Sequence, residues 1–277
     1  MIDNINEIID NRLDRQTDRQ TDRQTDRQTD RQYNFISIGY FCSVASELER
    51  MGLRHESFPF DWLITEDFEI VLDLIKNNFD RFLIKENLFQ ESNINPKYYY
   101  DQECKIHFYH DFNGTKTLDS QFEEVKAKYN RRIARFYSVI KSPTIFIRYC
   151  GSKKELDYIH KHENEIETLV KSFNSKNFII YITDIEDGNT DGMYYVEKDP
   201  CDNAARKFLD KLPNLRDFLF KHSALTYEQI AQNLNRYKKQ VIKRFFKKVK
   251  RKLNKFIHAK YYVHCNQYTF LQKNAKE

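Results

Sequence analysis

Apolar segments with strand character alternate with amphipathic helical segments along the middle of this chain, and this alternation constrains the fold most. Residues 33–39 (YNFISIG), 144–149 (TIFIRY) and 177–183 (NFIIYIT) are rich in β-branched and aromatic side chains. Residues 120–139 carry apolar side chains at helical spacing. Strands separated by helices predict an α/β domain, with α+β as the alternative, built on a sheet of four or five strands.

The region between the first strand and the long helix mixes helix and strand signals. Thr65, followed by two acidic residues, is predicted to be the N-cap of a helix. Residues 98–112 are aromatic and alternate in polarity, and the Asn113-Gly114 pair that follows is a strong turn signal. This pattern predicts a strand that carries or adjoins His107 and His110.

Composition excludes several classes of protein. With 277 residues, 40% of them hydrophobic, the chain is long enough to bury one large core. No stretch approaches the roughly 20 apolar residues that cross a bilayer, and the first thirty residues lack the apolar part of a secretion signal. The five cysteines form no CxxC pair, which argues against a disulfide framework or a zinc site. We therefore expect a cytoplasmic protein with reduced thiols and without a metal or cofactor.

Residues 14–32 repeat the four letters DRQT and contain no apolar side chain, so the segment is predicted to be disordered. The repeat Thr-Asp-Arg-Gln can be written ACA-GAC-AGA-CAG, which is a single tetranucleotide read three times. Gain or loss of one such unit would shift the reading frame. No methionine lies between Met1 and Met51 to restart translation before Cys42. The tract resembles those of phase-variable bacterial genes, many of which act on surface glycans.

The C-terminal region carries the excess positive charge. No Asp or Glu lies between Gln229 and Lys276, and apolar residues recur at helical spacing through 227–257. This predicts a basic amphipathic helix that either lies on an anionic membrane surface, at the inner face of the membrane, or docks on the globular domain. Nucleic acid is a less favoured partner because no nucleic-acid-binding signature accompanies the charge.

The predicted domain organisation follows from these segments. Residues 1–32 form the disordered repeat segment, residues 33–222 form the α/β domain, and residues 223–277 form the basic helical tail.

Five motifs within residues 35–185 together resemble one protein family. They are SIGYFCSVASEL (37–48), LRHESFPFDWL (53–63), HDF (110–112), KYNRRIARF (128–136) and FIR (146–148). In this combination the chain resembles the bacterial family of putative papain-like cysteine peptidases (DUF1796). The resemblance implies a papain-like mixed sheet flanked by helices, and thiol chemistry on a substrate that it does not identify.

Cys42 is the predicted nucleophile of that chemistry. It follows a strand and a turn at Gly39 and begins a helix, so its sulfur would face the backbone N–H groups at the positive end of the helix dipole. That environment favours the thiolate, and the same N–H groups could stabilise an oxyanion. The alternative is a buried cysteine that packs as a small apolar residue.

His110 is the preferred base because the papain-like order places Cys before His. His107 is the competitor, since residues three apart on a strand face opposite sides and cannot both line the site. Asp61 is the predicted third member that orients the imidazole, with capping of its own loop as the alternative role. Asp111 is disfavoured because adjacent strand residues point apart.

A rival constellation follows the strand at 177–183. Residues 184–187 include three carboxylates, and carboxylates at the end of a strand can hold a divalent cation in a nucleotide-sugar transferase. The sequence contains no phosphate-binding glycine loop.

The leading hypothesis is therefore a thiol hydrolase or acyltransferase that acts on an amide or acyl substrate through Cys42 and His110. The second is a glycosyltransferase or accessory protein of lipooligosaccharide or capsule biosynthesis at the cytoplasmic membrane face. The third is a non-catalytic binding domain.

Overall fold

The computed structural model describes residues 33–92, 94–186, 193–197, 207–226, 228–233 and 235. The chain divides into two compact units, the first ending at Thr226 and the second beginning at Tyr227. The repeat at 14–32 and most of the tail helix predicted at 227–257 lie outside the described residues, so both stay predictions. Within the described ranges, no helix combines the length and apolarity needed to cross a membrane.

The first unit contains eight described strands, seven described α-helices and one described 3₁₀ turn. In chain order they are β1 (Asn34–Ser37), α1 (Ser43–Arg50), β2 (Leu63–Thr65), α2 (Phe68–Lys76), a 3₁₀ turn (Lys85–Asn87), β3 (Leu88–Gln90), β4 (Tyr99–Asp101), β5 (Ile106–Phe108), α3 (Leu118–Val139), β6 (Thr144–Cys150), α4 (Lys153–Lys161), α5 (Glu163–Phe173), β7 (Phe178–Thr183), β8 (Met193–Tyr195), α6 (Phe208–Lys211) and α7 (Pro213–Lys221).

Four strands, three of them longer than the rest, form a parallel sheet in the order β1-β6-β7-β8. Strand β1 pairs with β6 so that Asn34 lies opposite Thr144. Every residue of β6 is buried, as expected for a central parallel strand covered on both faces. Because all parallel strands point the same way, their carboxyl ends lie along one edge of the sheet, which we call the carboxyl edge. The predicted α/β class and its main strands are confirmed.

The shorter strands form a second, antiparallel sheet in the order β2-β5-β4-β3, which the sequence did not reveal as a separate sheet. The prediction that Thr65 caps a helix is wrong, because Thr65 lies in β2 and the helix begins at Phe68. Its hydroxyl oxygen is buried and accepts hydrogen bonds from the Tyr40 N–H and the Arg148 guanidinium, both at 2.9 Å. These long-range partners outweigh the local capping preference.

Helices cover the sheets with the apolar faces that their sequence periodicity predicts. Val44, Ala45, Leu48 and Met51 of the first helical segment are fully buried, and Gly52 ends it in a left-handed conformation (φ 73°). The predicted helix near residues 154–173 is divided into α4 and α5 at His162.

Candidate active site

Cys42 is the N-cap of α1, immediately after the turn that follows β1. Its side chain is half-buried, and its carbonyl accepts the N–H of Ser46 at 2.9 Å. The first turn of α1 contains no acidic residue, so no side-chain charge there opposes the positive end of the helix dipole. The structure therefore places Cys42 at the helix start that the sequence predicts.

The turn before Cys42 is held in an unusual backbone conformation. Gly39 (φ 90°) and Tyr40 (φ 69°) both lie in the left-handed region. A Cβ atom on Gly39 would lie 2.1 Å from the Thr65 hydroxyl oxygen, so only glycine fits there. Tyr40 and Thr65 exchange two hydrogen bonds of 2.9 Å, and these bonds stabilise the strained backbone conformation of Tyr40.

Arg148 of β6 holds this turn from inside the protein. Its guanidinium is fully buried and donates to Glu155 Oε1 (2.7 Å), to the Ile38 carbonyl (3.0 Å), and to Thr65 Oγ1 (2.9 Å) and carbonyl oxygen (2.7 Å). Its carbon Cζ lies 4.9 Å from the centre of the Phe68 ring. Sequence reasoning gave Arg148 no role of its own, although a charged residue inside an apolar strand was a signal that could have found it.

The turn after β6 meets the turn after β1. Tyr40 covers Gly151 so closely that a Cβ atom there would lie 2.1 Å from the tyrosine ring. Ser152 caps α4 by accepting the Glu155 N–H at 3.2 Å. The other oxygen of the Glu155 carboxylate accepts the Gly151 N–H at 3.3 Å. The two turns are therefore fixed to each other at the carboxyl edge.

Three aromatic rings surround the start of α1. Tyr40, Phe41 and Tyr149 contact one another with ring centroids 5.0 to 5.4 Å apart. Burial, followed by a hydrogen bond to the Asp184 carboxylate, raises the pKa of Tyr149 well above its ordinary value. Asp184 follows β7, so the rival acidic segment also reaches the carboxyl edge.

The metal-site hypothesis gains no support from this arrangement. Asp184 interacts with Tyr149, whereas Asp187 lies outside the described residues. Within the part of the chain that the structure describes, no three His, Cys, Asp or Glu side chains are grouped as a cation would require.

A cleft of about 320 Å³ opens between the carboxyl edge and the antiparallel sheet. Tyr40 and Ser152 line it from the two turns, and His107 and Tyr100 line it from the antiparallel sheet. Ligands of open α/β sheets bind outside the carboxyl ends of the strands. The cleft is therefore a candidate substrate site, with Tyr40 of the turn before Cys42, and not Cys42 itself, among its lining residues.

His107 is the histidine that lines this cleft. Its Nδ1 lies 2.6 Å from Oε1 of Glu91, and both side chains are partly buried. A carboxylate on Nδ1 fixes the orientation of an imidazole and leaves Nε2 for another partner. Sequence reasoning missed Glu91 because it lies 16 residues away, just beyond β3.

His110 lies at the other end of β5. The β2–β5 register pairs Leu63 with Phe108 and Thr65 with Ile106, so residues beyond Phe108 lie toward the Leu63 end of β2. Tyr40 contacts the opposite end, at Thr65. His110 is exposed, and its ring centroid lies 6.0 Å from that of Trp62.

Asp61 is fully buried and caps its own loop. Its Oδ2 accepts hydrogen bonds of 2.8 Å from the Arg54 guanidinium and from the Phe58 N–H. Burial raises the pKa of Asp61 to about 6 against the lowering effect of Arg54. Arg54 follows the C-terminal end of α1, where its N–H donates to the Leu48 carbonyl. The described contacts therefore associate Asp61 with the end of α1 opposite to Cys42.

The contacts described for Asp61 and His110 are thus with Arg54, Phe58 and Trp62. Cys42 lies at the start of α1, whereas Asp61 and His110 lie near the Arg54 loop that follows its end. Their shared catalytic role stays a prediction. His107 and Glu91 form the histidine–carboxylate pair that the structure does bring to the cleft.

Comparisons with known proteins agree with the motif resemblance. Residues 33–185 match the family model described as "putative papain-like cysteine peptidase (DUF1796)". An uncharacterised protein of Acanthamoeba polyphaga mimivirus is 28% identical over 172 residues, covering 53% of this chain and 76% of the viral protein. No solved structure matches. The relative is viral, so the comparisons give no support to the expected bacterial origin.

Proposed function

Because this chain belongs to the family of putative papain-like cysteine peptidases (DUF1796), we propose that it is a thiol hydrolase or acyltransferase in which Cys42 attacks an acyl carbon. The observation that carries the proposal is the position of Cys42 at the start of α1, after a turn held by Thr65 and Arg148. A nucleophile needs such a fixed position beside unpaired backbone N–H groups.

The reaction would proceed in two steps, acylation of Cys42 and then deacylation. The Cys42 thiolate forms a C–S bond to the substrate carbonyl carbon, the C–N or C–O bond breaks, and the leaving group takes a proton from a histidine. Water, or an acceptor hydroxyl or amine, then attacks the thioester carbonyl carbon and gives a proton to the histidine, the C–S bond breaks, and the Cys42 thiolate is restored. Backbone N–H groups at the start of α1 would stabilise the oxyanion of both steps.

We propose His107 as the histidine that moves the proton, in place of His110. His107 lines the same cleft as Tyr40, which is two residues before Cys42, and Glu91 holds its Nδ1. His110 extends from the opposite end of the strand pair. In this arrangement Glu91 takes the orienting role predicted for Asp61.

The pH dependence of Cys42 alkylation tests the thiol and its base together. In the full chain, we expect iodoacetamide to label Cys42 near neutral pH far faster than Cys104, whose pKa burial raises to about 12. His107→Gln should slow the labelling of Cys42 at pH 6 to 7 about tenfold, because the variant lacks the side chain that would take the proton from the Cys42 thiol. Rates are measured on the cysteine-containing peptides by mass spectrometry.

His110→Gln is the matched control and should leave the Cys42 rate unchanged. Slowing by His110→Gln alone would restore His110 as the base. If Cys42 reacts no faster than Cys104 and Cys150, which are both buried, the thiol proposal fails.

We also propose that expression of this protein is phase-variable and that the protein acts in the biosynthesis of variable surface glycans. The support is the sequence of residues 14–32, whose four-letter repeat fits a tetranucleotide tract upstream of Cys42. Clones grown from one culture are expected to differ by whole tetranucleotide units when the tract is sequenced. A fixed tract length, or codons that break the four-base pattern, would contradict the proposal.

A further inference from the structure

The outer face of the antiparallel sheet carries a continuous aromatic surface. Strand pairing places Phe89, Tyr100, His107 and Ile64 opposite one another across all four strands. Phe89 is 52% exposed, whereas the alternating residues of the same strands, such as Phe108, are buried in the core. Side chains two residues apart on a strand share a face, so Tyr98 and Tyr109 extend this surface beside the first row.

Four rings of this surface, Tyr98, Tyr100, His107 and Tyr109, contact one another. Tyr98 and Tyr109 lie with ring centroids 4.3 Å apart, and Tyr100 and His107 lie 4.7 Å apart. We call Phe89, Tyr98, Tyr100, His107 and Tyr109 the aromatic face. Because Tyr100 and His107 also line the cleft, the aromatic face continues directly into the cleft, beside Tyr40 of the turn that precedes Cys42.

Hydrogen-bonding groups lie at the edges of these rings. Three of the five side chains are tyrosines, and Glu91 accepts or shares the proton at His107 Nδ1. Burial, followed by the charge of Glu91 and a hydrogen bond to it, raises the pKa of Tyr109. Rings with hydroxyl and carboxylate groups at their edges match a ligand that has flat C–H faces and hydroxyl edges.

The charges around the cleft select against anionic ligands. Glu66, Asp67 and Glu69 line its wall, and Asp67 pairs with Lys105 at 3.3 Å. Burial raises the pKa of Tyr40, and the negative charge of Glu66 raises it further, so this charge acts on the Tyr40 hydroxyl in the cleft. Lys105 and Lys154 also line the cleft, but its four carboxylates outnumber them, so the net charge disfavours phosphate and sulfate groups.

From these features we propose that the aromatic face is a binding subsite for an uncharged glycan whose sugars carry acylamino groups. Sugar rings would stack through their C–H faces on Phe89 and Tyr100, and one acylamino group would enter the cleft. The four-strand row spans about 14 Å, enough for two or three sugar rings. The assignment of the acylamino group rests on the proposed function, because an amide is the bond that Cys42 would attack.

A peptide fits this surface less well. Peptides recognised by sheets usually add to an exposed edge strand through backbone hydrogen bonds. Here the rings lie on the flat of the sheet, where β4 and β5 already pair on both sides. The surface therefore offers a peptide no backbone pairing at its centre.

Calorimetric titration of the full-length Cys42→Ala protein with tri-N-acetylchitotriose tests the subsite without turnover. We expect saturable binding that Phe89→Ala or Tyr100→Ala weakens about tenfold, since each removes one stacking ring. Phe89→Leu should also weaken binding, because it keeps apolar area but removes the aromatic plane. Ile94→Ala is the matched control: Ile94 is 88% exposed but lies outside the aromatic face, so binding should not change.

Several outcomes would overturn the assignment. They are absence of trisaccharide binding, equal binding of a heparin hexasaccharide, and tighter binding of a capped phenylalanine-containing peptide that Phe89→Leu leaves intact. Failure of the thiol proposal is distinguishable, because Cys42 alkylation is measured separately. If the protein binds the trisaccharide through the aromatic face but Cys42 is not reactive, the subsite proposal stands and the thiol-enzyme proposal fails.

Discussion

Replacement of Arg148 by methionine is expected to lower the free energy of unfolding by about 3 to 5 kcal/mol. The guanidinium is fully buried, and its partners are the Glu155 carboxylate, two carbonyl groups and the Thr65 hydroxyl. Methionine fills part of the volume but satisfies none of these acceptors, and it leaves the buried Glu155 without its cation. The free energy of unfolding is measured by urea denaturation, with circular dichroism as the signal.

Two further variants distinguish the cost of disrupting the buried Arg148–Glu155 pair from the general cost of removing a charged side chain. Arg216→Met removes the guanidinium of an ion pair with Asp217, whose side chain is 68% exposed, and should cost less than about 1 kcal/mol. Arg148→Met combined with Glu155→Gln should be less destabilising than the sum of the two single changes, because the double variant leaves no unpaired buried charge. A cost below about 1 kcal/mol for Arg148→Met would show that the buried hydrogen bonds of Arg148 are not important for the stability of the fold.

Stability should rise as the pH falls from about 7 to 4, and Asp61 is expected to supply a large part of this rise. Burial raises its pKa from an ordinary 3.8 to about 6, so the folded protein binds the Asp61 proton more tightly than the unfolded chain does. The stabilisation is therefore fully present below pH 4 and is lost as the pH rises through 6. The difference corresponds to about 3 kcal/mol as an upper value.

Asp61→Asn removes this titration, and the comparison of its pH profile with that of the wild type isolates the contribution. The variant also lacks the ion pair with Arg54, which the wild type makes only where Asp61 is ionised, so this loss is part of the pH-dependent difference between the two profiles. Free energies of unfolding at several pH values between 4 and 7.5 test the prediction. Parallel profiles for the two proteins would contradict a raised pKa of Asp61 in the folded state.

The elements with long apolar patterns could be predicted from the sequence. The strands β1, β6 and β7 are short apolar runs that are buried or partly buried along most of their length, and the helices α1 and α3 each bury apolar side chains that recur at helical spacing. The antiparallel sheet could not be predicted in this way, because its strands have three residues each, too few to establish a period. Their pairing depends on contacts between distant parts of the chain.

The same distinction applies to the candidate site. The position of Cys42 at a helix start could be predicted because its signal is local: a strand, a turn at Gly39 and a helix start follow one another within ten residues. The choice between His107 and His110 depends on which end of β5 meets the Tyr40 turn, and this is set by the register with β2, more than 40 residues earlier. The alternative role of Asp61, capping its own loop, is the one that its described contacts support.

The pairing of β1 with β6 also has a consequence for how the chain acquires its fold. Asn34 and Thr144 are neighbours in the sheet but 110 residues apart in sequence, and the entire antiparallel sheet lies between them. Contacts of such separation slow folding because the intervening chain must be closed before they form. During synthesis, β1 leaves the ribosome first and waits without its partner strand until β6 has been made. The polar residues that precede β1 would then keep an apolar, unpaired strand soluble through that interval.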